Sequence, residues 1–132
     1  FLHGKVSREM AVRAMQSADI LVNIGNTNPF QEPSKIIEYA STGKPIINIT
    51  SISEDSSALA LEKYPAVINV LCQPMGVENN AQITKLVKFI QQPPYVDKDY
   101  LKEWVAPYEI CAISKKYLTL LNQGSPAQNK QS

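Results

Sequence analysis

The chain has 132 residues, 44% of them hydrophobic and 19% charged, with a formal net charge of +1; this is enough apolar side chain for one domain's core, and the composition is not that of a disordered chain. The balance of charge excludes a basic field for nucleic acid and a polybasic membrane anchor, and the longest apolar runs have strand length, far short of the roughly 20 residues that a membrane helix needs. Cys72 and Cys111, the two cysteines, are too few and too far apart for a disulfide framework or a metal knuckle, so both are expected to be small buried hydrophobes in a reduced, cytoplasmic setting.

The chain opens with Phe1-Leu2-His3-Gly4, without a methionine or the pattern of a signal peptide. It reads as a strand end closed by Gly4, and the expectation is a fragment of a longer protein. Ser7 is placed to cap a helix to about Ala18, with Met10, Ala11, Ala14, Met15 and Ala18 inward. Asp19 introduces the run ILVNIG, which Gly25-Asn26-Thr27-Asn28 breaks. The stretch EPSKIIEYAST follows as a helix that stops at Gly43, a position suited to a left-handed cap. Pro45 opens PIINIT, a second apolar run. Asp55 is placed to cap a helix to about Tyr64, and AVINVL at Ala66–Leu71 is a third run. A helix from Asn79 or Asn80 carries Ile83, Leu86, Val87 and Ile90 at amphipathic spacing. Pro93-Pro94 ends it. Asp97 caps a short helix through Trp104, and after Pro107 a last helix aligns Ile110, Ile113, Tyr117, Leu120 and Leu121. The tail from Asn122 to Ser132 is polar and expected to be disordered.

Continuous apolar runs alternating with helices predict an α/β fold: a doubly wound, Rossmann-like parallel sheet with helices on both faces, truncated at its first strands. Ligands of such sheets bind beyond the carboxyl ends of the strands. Those ends are the loops Gly4-Lys5-Val6, Gly25 to Gln31 and Thr50 to Glu54.

One residue at that edge runs against helix electrostatics. Pro33 fits the first helical position, which puts Lys35 in the first turn, where the macrodipole already is positive. Either Lys35 snorkels to water or an anion binds there. The unpaired first-turn amides around Ser34 and Lys35, the Ser34 hydroxyl and the Lys35 charge together read as a phosphate clamp. Glu38, one turn on, is placed to accept hydrogen bonds from sugar hydroxyls or to pair with Lys35. Asn23, Asn26 and Asn28 offer hydrogen bonds to a sugar, or are ordinary turn residues. Trp104 with Tyr100 and Tyr108 reads as core packing or as an interface patch. His3, the only histidine, gives no general base. No metal-spaced acidic cluster is visible, so neither metal nor cofactor is expected.

The segments GKVSREMAVRAMQSAD and ADILVNIGNTNPFQEPSKIIEYASTGKPIINI resemble the donor-binding, C-terminal half of GT-B glycosyltransferases, of the group 1 or family 4 kind. The resemblance spans roughly Gly4 to Ile49 and implies a Rossmann-like nucleotide-sugar domain over residues 1–121. It also implies that Ser34 and Lys35 hold the donor diphosphate, that Glu38 binds the ribose, and that Gly4, Lys5 and Val6 lie against the base. Where many relatives have a glutamate eight positions before Glu38, this chain has Phe30, so the donor-sugar contact departs from the family's pattern. The implied reaction transfers a sugar from a UDP- or GDP-linked donor to an acceptor sugar, lipid or other hydroxyl compound, as in polysaccharide biosynthesis. Lys35 would stabilise the leaving diphosphate, without a metal. The missing N-terminal Rossmann-like domain would supply the acceptor site and any contact with the inner face of the membrane, leaving this fragment alone inactive.

Three rivals share the same residues: a nucleotide-sugar epimerase of the same architecture, a non-catalytic signalling module such as a receiver domain, and a dead scaffold. The receiver lacks its aspartate, since the strand ends read Asn23-Ile24-Gly25 and Ile49-Thr50-Ser51.

Overall fold

A computed structural model describes residues 4–25, 34–72 and 79–123, the last four by their backbone alone. Its elements run α1 (Arg8–Ser17), β1 (Leu21–Ile24), α2 (Ser34–Ser41), β2 (Ile46–Thr50), α3 (Ser56–Ala60), β3 (Val67–Leu71), α4 (Asn80–Gln91), α5 (Lys98–Val105), a 3-10 turn at Ala106–Tyr108, and α6 (Ile110–Gln123). The chain is α/β, with a parallel sheet of order β1-β2-β3 flanked by helices, an arrangement consistent with a Rossmann-like unit.

The helix ends follow from their capping residues. Ser7 accepts a hydrogen bond from the Met10 amide at 3.3 Å. Asp55 caps α3 through the Ser57 and Ala58 amides, and Asp97 caps α5 through those of Asp99 and Tyr100. Gly43 has φ +73°, the left-handed conformation that closes α2 and that a side chain disfavours. The ammonium of Lys44 then donates to the carbonyls of Gln16, at 2.8 Å, and Ala18. A cation therefore sits on the negative end of α1.

Register partners share a face of the sheet, so Leu21, Ile46 and Val67 lie together. The core forms on that face from Leu21, Ile36, Ala40, Ile46, Leu61, Tyr64, Ala66 and Val96, with Met15, Leu101 and Trp104 packed against it. Ile36 and Ile46 are fully buried, and truncating a side chain of that kind to alanine typically costs about 2–5 kcal/mol.

Several expectations about burial are corrected. On the second face of the sheet Ile47 is buried, but Val22 and Ile24 of the edge strand β1 are 51% and 77% exposed. On α1, Met10 and Ala14 face solvent, while Ala11, Met15 and Ala18 are half-buried. Of the expected α4 stripe, Ile83, Val87 and Ile90 are exposed and only Leu86 is half-buried, together with Phe89, which lay outside the stripe. Ile110, Ile113 and Tyr117 of α6 are exposed as well. Periodicity identifies an apolar stripe, but burial needs an opposing element, and the described chain lays none against these. Cys72 and Cys111 are exposed free thiols: the first lies just past the end of β3, the second in the first turn of the sparsely packed α6. Finally, α3 ends at Ala60, with turns carrying the chain to the buried Tyr64. No described helix is long and apolar enough to cross a membrane.

Candidate functional site

Burial of Ile36 and Ala40 fixes how α2 is rotated about its axis. Positions i and i+4 define one face, so Lys35, Glu38 and Tyr39 fall on the flank beside it. That flank meets α1 across a cleft of about 600 Å³, whose α1 wall includes Arg8, Val12 and Met15, with Leu21 from β1. Arg8, Val12 and Met15 stand at i, i+4 and i+7, a single stripe of α1. The cleft thus has an apolar floor with charged groups at its margin, the usual composition of a small-molecule site.

Its two cations share one feature. Arg8 is the first residue of α1 and Lys35 the second of α2. Both cations occupy first turns, where the helix dipole opposes them, and both line the cleft. Among the described residues, neither forms an ion pair; the two pairs present are Arg13–Glu9 and Lys102–Asp99. The alternative of a Lys35–Glu38 salt bridge is therefore not realised in the structure, and both side chains belong to exposed residues. The sequence signal that singled out Lys35 applied equally to Arg8, directly after the Ser7 cap, and was missed there.

The other predicted residues stand apart from the cleft. Ser34 is exposed at the start of α2 and is not among the lining residues. Gly4, at φ +63°, Lys5 and Val6 are exposed immediately before α1 and also do not line it. Asn26 and Asn28 lie outside the described residues, as does His3.

A second polar assembly occupies the middle and carboxyl end of the sheet. Asn23, Asn48 and Asn69 are register partners across all three strands. The Asn23 amide nitrogen donates to Asn48 Oδ1 at 2.7 Å, and the Asn48 nitrogen donates to Asn69 Oδ1 at 2.8 Å. Ser57 Oγ donates to Asn48 Oδ1 at 2.9 Å and also lies against Asp55 Oδ1. Asn48 is fully buried and Asp55 is 2% exposed. Oδ1 of Asp55 takes the helix amides, whereas Oδ2 is buried without a hydrogen-bond partner. That oxygen points at Gly25, where an added Cβ would lie 2.3 Å from it. The Asn23 amide nitrogen thereby pairs within the sheet. No cluster of three or more His, Cys, Asp or Glu able to hold a metal occurs among the described residues.

Comparison of the chain with protein-family models, with curated proteins and with solved structures gives no match.

Proposed function

We propose that the α1–α2 cleft binds the nucleoside diphosphate portion of a nucleotide-sugar, and that the chain is the donor-binding domain of a GT-B glycosyltransferase. One observation carries this reading: two cations, Arg8 and Lys35, neither in an ion pair among the described residues and each in the first turn of its helix, line the same cleft. A cation in that position gains nothing from its own helix. It gains from an anion that also meets the unpaired amides of the helix end. The apolar floor suits the flat face of a base, and Glu38, free of ion pairs among the described residues, is an acceptor for ribose hydroxyls.

In sugar transfer, negative charge builds on the diphosphate as the glycosidic bond stretches. Lys35 and the first-turn amides of α2 would stabilise that charge without reorganising, which is electrostatic catalysis. The acceptor and any general base would belong to another domain.

Thermal unfolding with UDP, GDP and ADP tests the binding step. At least one diphosphate is expected to raise the melting temperature, since ligand at 100 times its dissociation constant adds about 2.7 kcal/mol of stability. Lys35→Ala and Arg8→Ala should each weaken that ligand roughly tenfold, as losing a charged contact of about 1.4 kcal/mol does. In an enzyme that pairs this domain with an acceptor domain, Lys35→Ala should lower turnover by about two orders of magnitude. No stabilisation by any of the three nucleotides would reject the reading.

A further inference from the structure

A separate cleft of about 480 Å³ lies between the end of α3 and the corner joining α5 to α6. Tyr100, Trp104 and Tyr108 form its aromatic wall. The Trp104 and Tyr108 rings are 5.2 Å apart at 34°, and Tyr64 supports Trp104 edge-on at 5.3 Å. The rings are held in place. The Tyr64 hydroxyl donates to the Lys44 carbonyl at 2.8 Å, and the Tyr100 hydroxyl donates to the Lys63 carbonyl at 2.6 Å. Fixed rings lose little freedom when something binds against them.

The charge around this wall is unbalanced. Glu62 and Glu103 line the cleft with a single cation, Lys63. Among the described residues none of the three is in an ion pair, whereas Glu9 and Asp99 each hold a cation one helical turn away. Two free carboxylates beside aromatic faces complement a positive group: the faces attract it through the ring quadrupole, the carboxylates through its charge. A sugar stacks on a broad exposed ring, but Trp104 is half-buried and Tyr108 tilts against it. The two carboxylates, neither in an ion pair among the described residues, favour a cation over a neutral sugar.

We propose that this cleft binds a free small molecule bearing an alkylated ammonium group, its alkyl groups on Trp104 and Tyr108 and its charge facing Glu62 and Glu103. The site shares no lining residue with the α1–α2 cleft and does not depend on the nucleotide assignment. Trp104 is the only tryptophan in the chain, so its emission reports directly on occupancy. Titration with choline is expected to change that emission saturably. The uncharged isostere 3,3-dimethylbutan-1-ol should leave it unchanged, and Glu103→Gln, an exposed position, should weaken choline about tenfold. Trp104→Phe should remove the optical signal and retain heat of binding in calorimetry. A flat response to choline through the millimolar range would overturn the proposal, as would equal responses to choline and the isostere. Sedimentation with phosphatidylcholine vesicles without any response to free choline would overturn the free ligand in favour of a membrane headgroup.

Discussion

Gly25 and Asp55 show what a single contact demands. The carboxylate occupies the space a side chain at position 25 would need, with Oδ2 2.3 Å from the ideal Cβ position. Asp55 cannot easily yield, because its other oxygen holds the start of α3. Gly25→Ala is expected to destabilise the chain by about 1–3 kcal/mol, the usual cost of overpacking, measured by urea unfolding. Asp55→Ala should cost about 1–2 kcal/mol through the lost cap. The double substitution should cost clearly less than the sum, because removing the carboxylate removes the clash; strict additivity would show that the two residues do not compete for space. Asp55's capping role was legible from its place before SSALA, since capping is local chemistry. Its approach to Gly25 was not, because a contact between the residue after β1 and the cap of α3 leaves no trace in either segment. Arg8 was legible and overlooked, and Asn26 and Asn28 lie beyond the described residues.

At the scale of elements, the strands and helices were largely readable, and their environments less so. Runs of β-branched residues bounded by glycine, proline and asparagine mark all three strands, and Ser7, Asp55, Asn79 and Asp97 mark helix starts. Burial was misread where an apolar stripe meets no neighbour, as on α4 and α6. The asparagine ladder was also invisible, because an asparagine inside VNI, INI or INV looks like an interruption until the strands are aligned. Asn48 is its centre, accepting from Asn23 and Ser57 and donating to Asn69. Asn48→Ala would leave three polar groups without that partner, one of them the buried Ser57 hydroxyl. The expected loss is about 2–3 kcal/mol, toward the upper end for one buried polar truncation. Denaturant unfolding checks it, and a loss under about 0.5 kcal/mol would mean that water replaces the amide at no net cost.

Over the whole molecule, Tyr64 ties the sheet to the α5 corner: it is buried in the core, stacks edge-on with Trp104 and donates to Lys44. Burial pushes its hydroxyl from the ordinary 10 up to about 12. The folded chain therefore keeps a proton that the unfolded chain releases near pH 10. Stability from this group is complete below that point and falls as pH rises toward 12. Melting temperature should decline across that window, and Tyr64→Phe should flatten the decline while lowering stability at neutral pH by about 1 kcal/mol for the lost hydrogen bond. An unchanged slope in the variant would assign the alkaline loss to other groups.

Lys44 joins these parts in another way. Its side chain anchors the tail of α1, and its carbonyl receives Tyr64, yet it lines neither cleft. The spacing between α1 and α2 is therefore set from outside the space they enclose. Neutralising that one ammonium, as lysine acetylation does, would weaken the contact that holds the tail of α1 to the turn after α2. If the α1–α2 cleft holds an anion as proposed, its affinity would then fall with every residue that lines the cleft still in place.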